Sequence, residues 1–414
     1  MIFKSHLFAV LIVALFAPDL KAENRLAGVF TNLDASEHDY WNRPLNDPFT
    51  KIISDLESGR IQLDHGNEKS FLLSLLKALD IPVNSQTLVF STTSLQLSLI
   101  SPRTPRAIYF NEEIYLGYVP GGKIEIISID PELGGIFYIF DIPKDHSPPV
   151  VRRSKRCMNC HSAEDTRDVP GIVIKSVIPG PRGGSLESYR RRQTGHQIPY
   201  HERFGGWYLT GAETLSEHWG NVTGQFTPNG IKTSPLEPGK TFTWSRFPVE
   251  TSDLLAHLIH EHQAGFVNRV FEAHYLARTC EETGNAALRA SLDQTADSLV
   301  RYLLFADEPE FPQAGIEGTA AYRSEFLSNR IADSSGKSLK DLNLKERLFN
   351  YRCSYMIHSP AFTNLPVTIK QPVLEKINAA LSDRSNPDYT YLNGNEKAAI
   401  LDILKSTHPD WKSN

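Results

Sequence analysis

Two cysteines three residues apart, with a histidine directly after the second, constrain this chain more than any other feature: Cys157-Met158-Asn159-Cys160-His161. Thiols at that spacing sit on one turn, where each can form a thioether to one vinyl group of a porphyrin. The next residue then aims its imidazole at the metal from the same side. This is the pattern of covalent haem c attachment. Rival readings of paired cysteines lack their context. A zinc ribbon needs a second C-x-x-C, which the sequence does not contain. A thioredoxin-like pair belongs at the start of a βαβ helix, and the flanking pattern is not of that kind. Any fold for this chain must therefore hold Cys157, Cys160 and His161 against one face of a flat, apolar macrocycle.

The N-terminal residues agree with that chemistry, because haem c is attached on the far side of a membrane. Lys4 precedes an unbroken apolar run from Leu7 to Phe16, Pro18 ends it, and Leu20-Lys21-Ala22 offers a cleavage site. Ten apolar residues make about 15 Å of helix, half of what spans a bilayer. The expectation is a cleaved signal peptide over 1–22 and an exported, periplasmic chain with no transmembrane segment in its mature form. A formal charge of −5 gives no reason to expect a nucleic-acid partner. Beyond the haem motif there are two further cysteines, Cys280 and Cys353. In an oxidising compartment these are either a disulfide or two buried thiols.

The pattern along the chain predicts an α+β fold. Lys69–Leu79 is helical in character. Strands are expected at Ile114–Val119 and Lys123–Ile129 around Pro120-Gly121-Gly122, and at Ile136–Ile142, which together make an antiparallel meander. Further strands are expected at Gly171–Ile178 and Gly206–Gly211. From Glu250 the period changes: Thr251 or Ser252 would cap a long helix over Leu254–Cys280. More helices are predicted at Asn285–Phe305, Lys345–His358, Pro372–Leu381 and Glu396–Lys405. The expected division is a β-rich part over 23–248 carrying the haem motif and a helical part over 249–414. Such a chain is not a compact small cytochrome.

The sixth iron position separates electron transfer from ligand binding or catalysis. Met158 lies inside the attachment loop and cannot reach the distal face, which leaves Met356 as the less favoured sulfur candidate. His218, in Glu217-His218-Trp219-Gly220-Asn221, could swing over the haem from a loop. His262 lies on the stripe of Leu255, Leu258, Ile259 and Phe266 in the long helix. His196, His201 and an open iron stay as alternatives. His257, His260 and His262 cluster on one helix but lack the H-E-x-x-H arrangement of a zinc site. Arg152, Arg153, Lys155 and Arg156 would pair with propionates, dock an acidic partner, or simply be solvated. Gly180–Gly184 lacks the Lys-Ser/Thr of a phosphate loop and reads as a turn.

Several blocks resemble a family of large exported bacterial proteins with a single haem c motif and no assigned activity. They are FLLSLLKALDIPVNSQTLVFSTTSLQ (71–96), SPRTPRAIYFNEEIYLGYVPGG (101–122), CMNCH (157–161), RFGGWYLTGAE (203–213), HWGN (218–221) and RLFNYRCSYMIHSPAF (347–362). The resemblance implies haem ligation by Cys157, Cys160 and His161, and nothing about a substrate. The leading expectation is a periplasmic c-type cytochrome that exchanges single electrons with a redox protein or a small-molecule donor or acceptor. Two alternatives stand beside it. One is an enzyme or gas binder with an open iron, in which His218 or His262 works with Arg203 or Arg269 on peroxide. The other is a binding or sensor protein.

Overall fold

The computed structural model describes residues 31–188, 194–383 and 385–412, so the expected signal peptide lies outside the described residues. Two helices come first, α1 (Thr50–Glu57) and α2 (Glu68–Ala78). Asn67 starts α2 with a reciprocal cap: its side chain accepts the Ser70 N–H at 3.0 Å and the Ser70 hydroxyl accepts the Asn67 N–H at 3.0 Å.

The strands that follow are β1 (Thr87–Val89), β2 (Arg106–Phe110), β3 (Ile114–Tyr118), β4 (Lys123–Asp130), β5 (Gly134–Asp141) and β6 (Arg152–Arg153). The meander expected from the turn residues is present. Gly121 takes a positive φ of 77° in the β3–β4 turn. Asp130 holds the next turn by accepting the N–H groups of Glu132 and Leu133 at 2.9 and 3.1 Å. After the one-turn helix α3 (Met158–His161) come β7 (Val177–Pro179), β8 (Ser185–Ser188) and β9 (Trp207–Tyr208). A further hairpin of β10 (Val222–Thr227) and β11 (Gly230–Pro235) follows. β9 returns to pair with β1, giving a seven-stranded antiparallel sheet in the order β6-β5-β4-β3-β2-β1-β9.

Helices dominate the remainder: α4 (Leu254–Thr283), α5 (Ala286–Leu303), α6 (Ala320–Leu327), α7 (Pro360–Thr363), α8 (Val367–Ser382), α9 (Gly394–Thr407) and α10 (Pro409–Lys412). The fold is α+β, with helices and antiparallel sheets, and the described residues form one compact unit. One face of the large sheet buries Leu88, Ala107, Tyr109, Leu116, Ile124, Ile126 and Tyr138 in a core shared with Phe71, Leu72, Leu75 and Leu76 of α2. Burial of this kind stabilises by about 1.5–3 kcal/mol per large side chain. The opposite face meets α4, which is buried on all sides rather than along one stripe. Among the described residues no helix is long and apolar enough to cross a membrane.

Three expectations fail for a shared reason, which is that side chains take the backbone groups. The cap of α4 is Asp253, not Thr251 or Ser252. Its carboxylate accepts the Leu255 N–H at 2.8 Å and the Thr319 N–H at 2.6 Å. The helix expected over Lys345–His358 is instead irregular, with a short 3₁₀ turn at Tyr355–His358. Asn343 accepts the N–H groups of Lys345 and Glu346, Glu308 that of Leu348, and Glu396 that of Arg352. The strand expected at Gly171–Ile178 is confined to its last residues, because Gly171 and Ile172 are held by His161 and Asn268. Gly180–Gly184 is a turn, closed by the Gly180 N–H to the Gly184 carbonyl at 2.7 Å.

Candidate functional site

The C-x-x-C-H motif hangs from the edge of the sheet. β6 precedes it and is anchored by Arg153, whose guanidinium lies 4.7 Å from the Tyr40 ring and 4.8 Å from that of Trp41. The same group donates to the Tyr40 and Trp41 carbonyls at 2.8 and 3.3 Å. Of the basic run, Arg152, Lys155 and Arg156 are exposed. Cys157 then opens α3, with its half-buried thiol 3.3 Å from the Ser154 hydroxyl, while Cys160 is exposed one turn on. Burial raises the Cys157 thiol pKa.

His161 is fixed at two points to one residue. Its Nδ1 donates to the Gly171 carbonyl at 2.9 Å, and its own carbonyl accepts the Gly171 N–H at 2.8 Å. With the proton on Nδ1, the lone pair is left on Nε2, which has no hydrogen-bond partner among the described residues. That is the tautomer a metal-ligating histidine uses, with its other ring nitrogen donating to a backbone carbonyl. The ring rests on Phe137, centroid to centroid 4.8 Å. Burial brings its pKa down to about 4, so the imidazole is neutral at ordinary pH. Two thiols and a neutral imidazole on one turn are the donor set that haem c takes, so the residues fit that group.

Gly171 is in turn set by α4. A Cβ there would overlap Asn268 Oδ1. The Asn268 amide accepts the Ile172 N–H at 2.8 Å and donates to the Ile172 carbonyl at 2.9 Å. The order of support is therefore α4, Asn268, Ile172 and Gly171, then His161.

The sheet face beside the motif is incompletely covered. Phe110, Tyr115, Ile127 and Phe137 are successive cross-strand partners over β2 to β5. Ile108, Gly117, Glu125 and Ile139 form the next row. Ile108, Ile127 and Ile139 are half-buried, whereas Phe110, Tyr115 and Phe137 are buried. Arg106 and Glu125 form an ion pair at 2.7 Å, with the guanidinium laid across Gly117 where a side chain would collide with it. Both charges act on Cys157 and His161, which places the pair beside the motif.

No protein-family model, curated protein or solved structure matches this chain.

Among the described residues, none of the distal candidates makes a hydrogen bond or ring contact with Cys157, Cys160 or His161. His262 is fully buried, stacked on Phe305 at 4.7 Å. Both its nitrogens are engaged: Nδ1 with His196 Nδ1 and Nε2 with the Ser354 hydroxyl, each at 2.8 Å. His218 is half-buried, and its Nδ1 accepts the Gly220 N–H at 3.0 Å. Met356 is buried and lines a cavity of about 180 Å³ with Glu113, Lys340 and His358. His201 is exposed. Arg203 is buried against Glu261, and Arg269 against the Tyr302 ring. Cys280 and Cys353 are buried free thiols, not a disulfide.

The three clustered histidines of α4 point different ways, as a helix turning about 100° per residue requires. His257 Nε2 meets the Ser252 hydroxyl and the Tyr208 carbonyl at 3.0 and 3.1 Å. His260 instead faces the sheet, stacked on Phe110 at 4.9 Å and Tyr115 at 5.6 Å, with Trp207 edge-on at 6.2 Å. Sequence reasoning weighed His260 for zinc alone. The signal that would have separated it is its spacing from Ala264, Val267, Asn268 and Phe271, which share one side of α4 with it.

Proposed function

We propose that this chain is an exported c-type cytochrome, carrying one haem bound through Cys157 and Cys160 with His161 on the iron, and that it passes single electrons in the periplasm. The observation that carries the reading is the fixed tautomer of His161: Nδ1 committed to the Gly171 carbonyl, and Nε2 left unpaired one residue after an exposed thiol. When bound, haem supplies a one-electron iron couple whose potential depends on axial ligation, hydrogen bonding and burial. The chain's own residues do the rest. Gly171 and Asn268 orient the imidazole, and Phe137 shields its face. Cys160 keeps the attachment edge at the surface, where a redox partner can approach. Exposed Arg152, Lys155 and Arg156 favour an acidic patch on that partner. On this reading the β-rich part carries the motif, the helical part contributes α4, and the architecture is unlike that of a small cytochrome.

The test is expression of the full chain with its export segment in a host that matures haem c. The expected result is periplasmic protein whose mass exceeds that of the processed chain by one haem, with reversible one-electron reduction. The Cys157→Ala/Cys160→Ala variant should lose the added mass. A wild-type chain recovered from that host without covalent haem would refute the reading.

A further inference from the structure

We infer that His260 is the sixth, distal ligand of the iron, a conclusion that rests on the haem reading of the motif. The ring of His260 makes no hydrogen bond among the described residues, and its nitrogens are not sealed from solvent although the residue is only 3% exposed. The other α4 histidines are satisfied: His257 by Ser252, His262 by Ser354 and His196, and His274 by the Ala361 carbonyl. An unpaired imidazole edge that keeps access to open space can meet a metal.

Its place in the fold supplies a second argument. His161 rests on Phe137, and His260 stacks on Phe110 and Tyr115, in the same cross-strand row. Between them in that row lies Ile127, which is half-buried although its row neighbours are buried. Two imidazoles therefore stand on either side of Ile127, where the sheet face is less fully covered than at its row neighbours.

Across the sheet, two to three strand spacings separate Phe137 from Tyr115 and Phe110, or about 10–14 Å. Histidines that bind one metal from opposite sides need Cα atoms about 13 Å apart, with about 2 Å from each nitrogen to the metal. His262 is excluded by helix geometry, since two residues turn it about 200° away toward α5 and Ser354. Bis-imidazole ligation would hold the potential low compared with a methionine ligand.

The experiment uses the mature holoprotein, with absorption and EPR spectra of the wild type, His260→Ala and His260→Met. The expected wild type is low-spin when oxidised and does not bind carbon monoxide when reduced. His260→Ala should keep its covalent haem by mass, become high-spin and bind carbon monoxide stoichiometrically; added imidazole should restore the low-spin spectrum. His260→Met, the fallback should the alanine variant not accumulate, should stay low-spin with a raised midpoint potential. A high-spin wild type would overturn the inference, as would either variant retaining the wild-type spectrum and potential with haem attached. Absence of covalent haem from the wild type is a different failure, that of the reading beneath.

Discussion

Replacing Asn268 by leucine removes the link between α4 and the segment that holds His161, at nearly constant volume. Asn268 and Ile172 are each 2% exposed, and their two mutual hydrogen bonds measure 2.8 and 2.9 Å. Leucine leaves both backbone groups of Ile172 without a partner. Each orphaned group costs about 1–3 kcal/mol, or about 2–6 kcal/mol for the pair. The added apolar burial offsets about 1 kcal/mol of that. A net loss of about 3 kcal/mol in local stability corresponds to about 150-fold faster exchange of the Ile172 amide proton. Hydrogen exchange followed by mass spectrometry on peptides spanning residues 169–176 reads this locally, without requiring the whole chain to unfold in one step. Asn268→Asp should fall between, because it keeps an acceptor for the Ile172 N–H but faces an oxygen to the Ile172 carbonyl. Protection within threefold of wild type in Asn268→Leu would refute the idea that this amide carries the segment.

Three further outcomes are expected. Burial raises the Glu308 pKa from 4.5 to about 7, so between those values the folded chain holds a proton the unfolded chain releases. Its contribution to stability is therefore fully present below about pH 4.5 and lost as pH rises through 7, about 3 kcal/mol in all. Glu308→Gln should match wild type near pH 4 and exceed it above pH 7 in urea midpoint; parallel pH curves would count against this. Gly117→Ala should push the Arg106 guanidinium off its seat and break the Arg106–Glu125 pair, lowering stability by about 1–3 kcal/mol. Adding it to Arg106→Ala should cost almost nothing more, and full additivity in thermal unfolding would contradict that. In protein made without haem, alkylation should be fastest at exposed Cys160 and slower at Cys157. Cys353, whose thiol burial pushes up to about 12, should react after unfolding, and buried Cys280 should too. Intact masses that differ between reduced and non-reduced samples would reveal a disulfide and overturn the free-thiol assignment.

The parts of the fold legible in the sequence are those whose backbone bonds close within one helix or between strands joined by a short turn. The β3–β4–β5 meander could be read because Gly121 and Asp130 carry turn chemistry that acts over two or three residues. α4 could be read because thirty residues of helix outweigh any single side chain. What escaped was set at a distance. Glu396 takes the Arg352 N–H from 44 residues away, and the segment expected as a helix is irregular there. Asn268 takes Ile172 from 96 residues away, and the expected strand is cut short. The site divides along the same line. Cys157, Cys160 and His161 are adjacent in the chain and announce themselves. His260 is a hundred residues on, and its direction depends on how α4 is turned against β2 and β3, which apolar periodicity cannot supply when the helix is buried on all sides.

That division bears on why so large a chain would serve one haem. In the proposed arrangement both axial imidazoles refer to the same helix, His260 directly and His161 through Asn268, Ile172 and Gly171. The sheet supplies the other reference, Phe137 under one ring and Phe110 with Tyr115 under the other. Iron ligation would then be held by the packing of α4 on the sheet rather than by a loop closing over a small bundle. A displacement of α4 along its axis would move His260 directly and His161 through its chain of hydrogen bonds, so the two rings would tend to shift together. Substitutions at that interface should therefore alter stability and reduction potential jointly, whereas changes among exposed Arg152, Lys155 and Arg156 should alter the salt dependence of partner association and leave the potential in place.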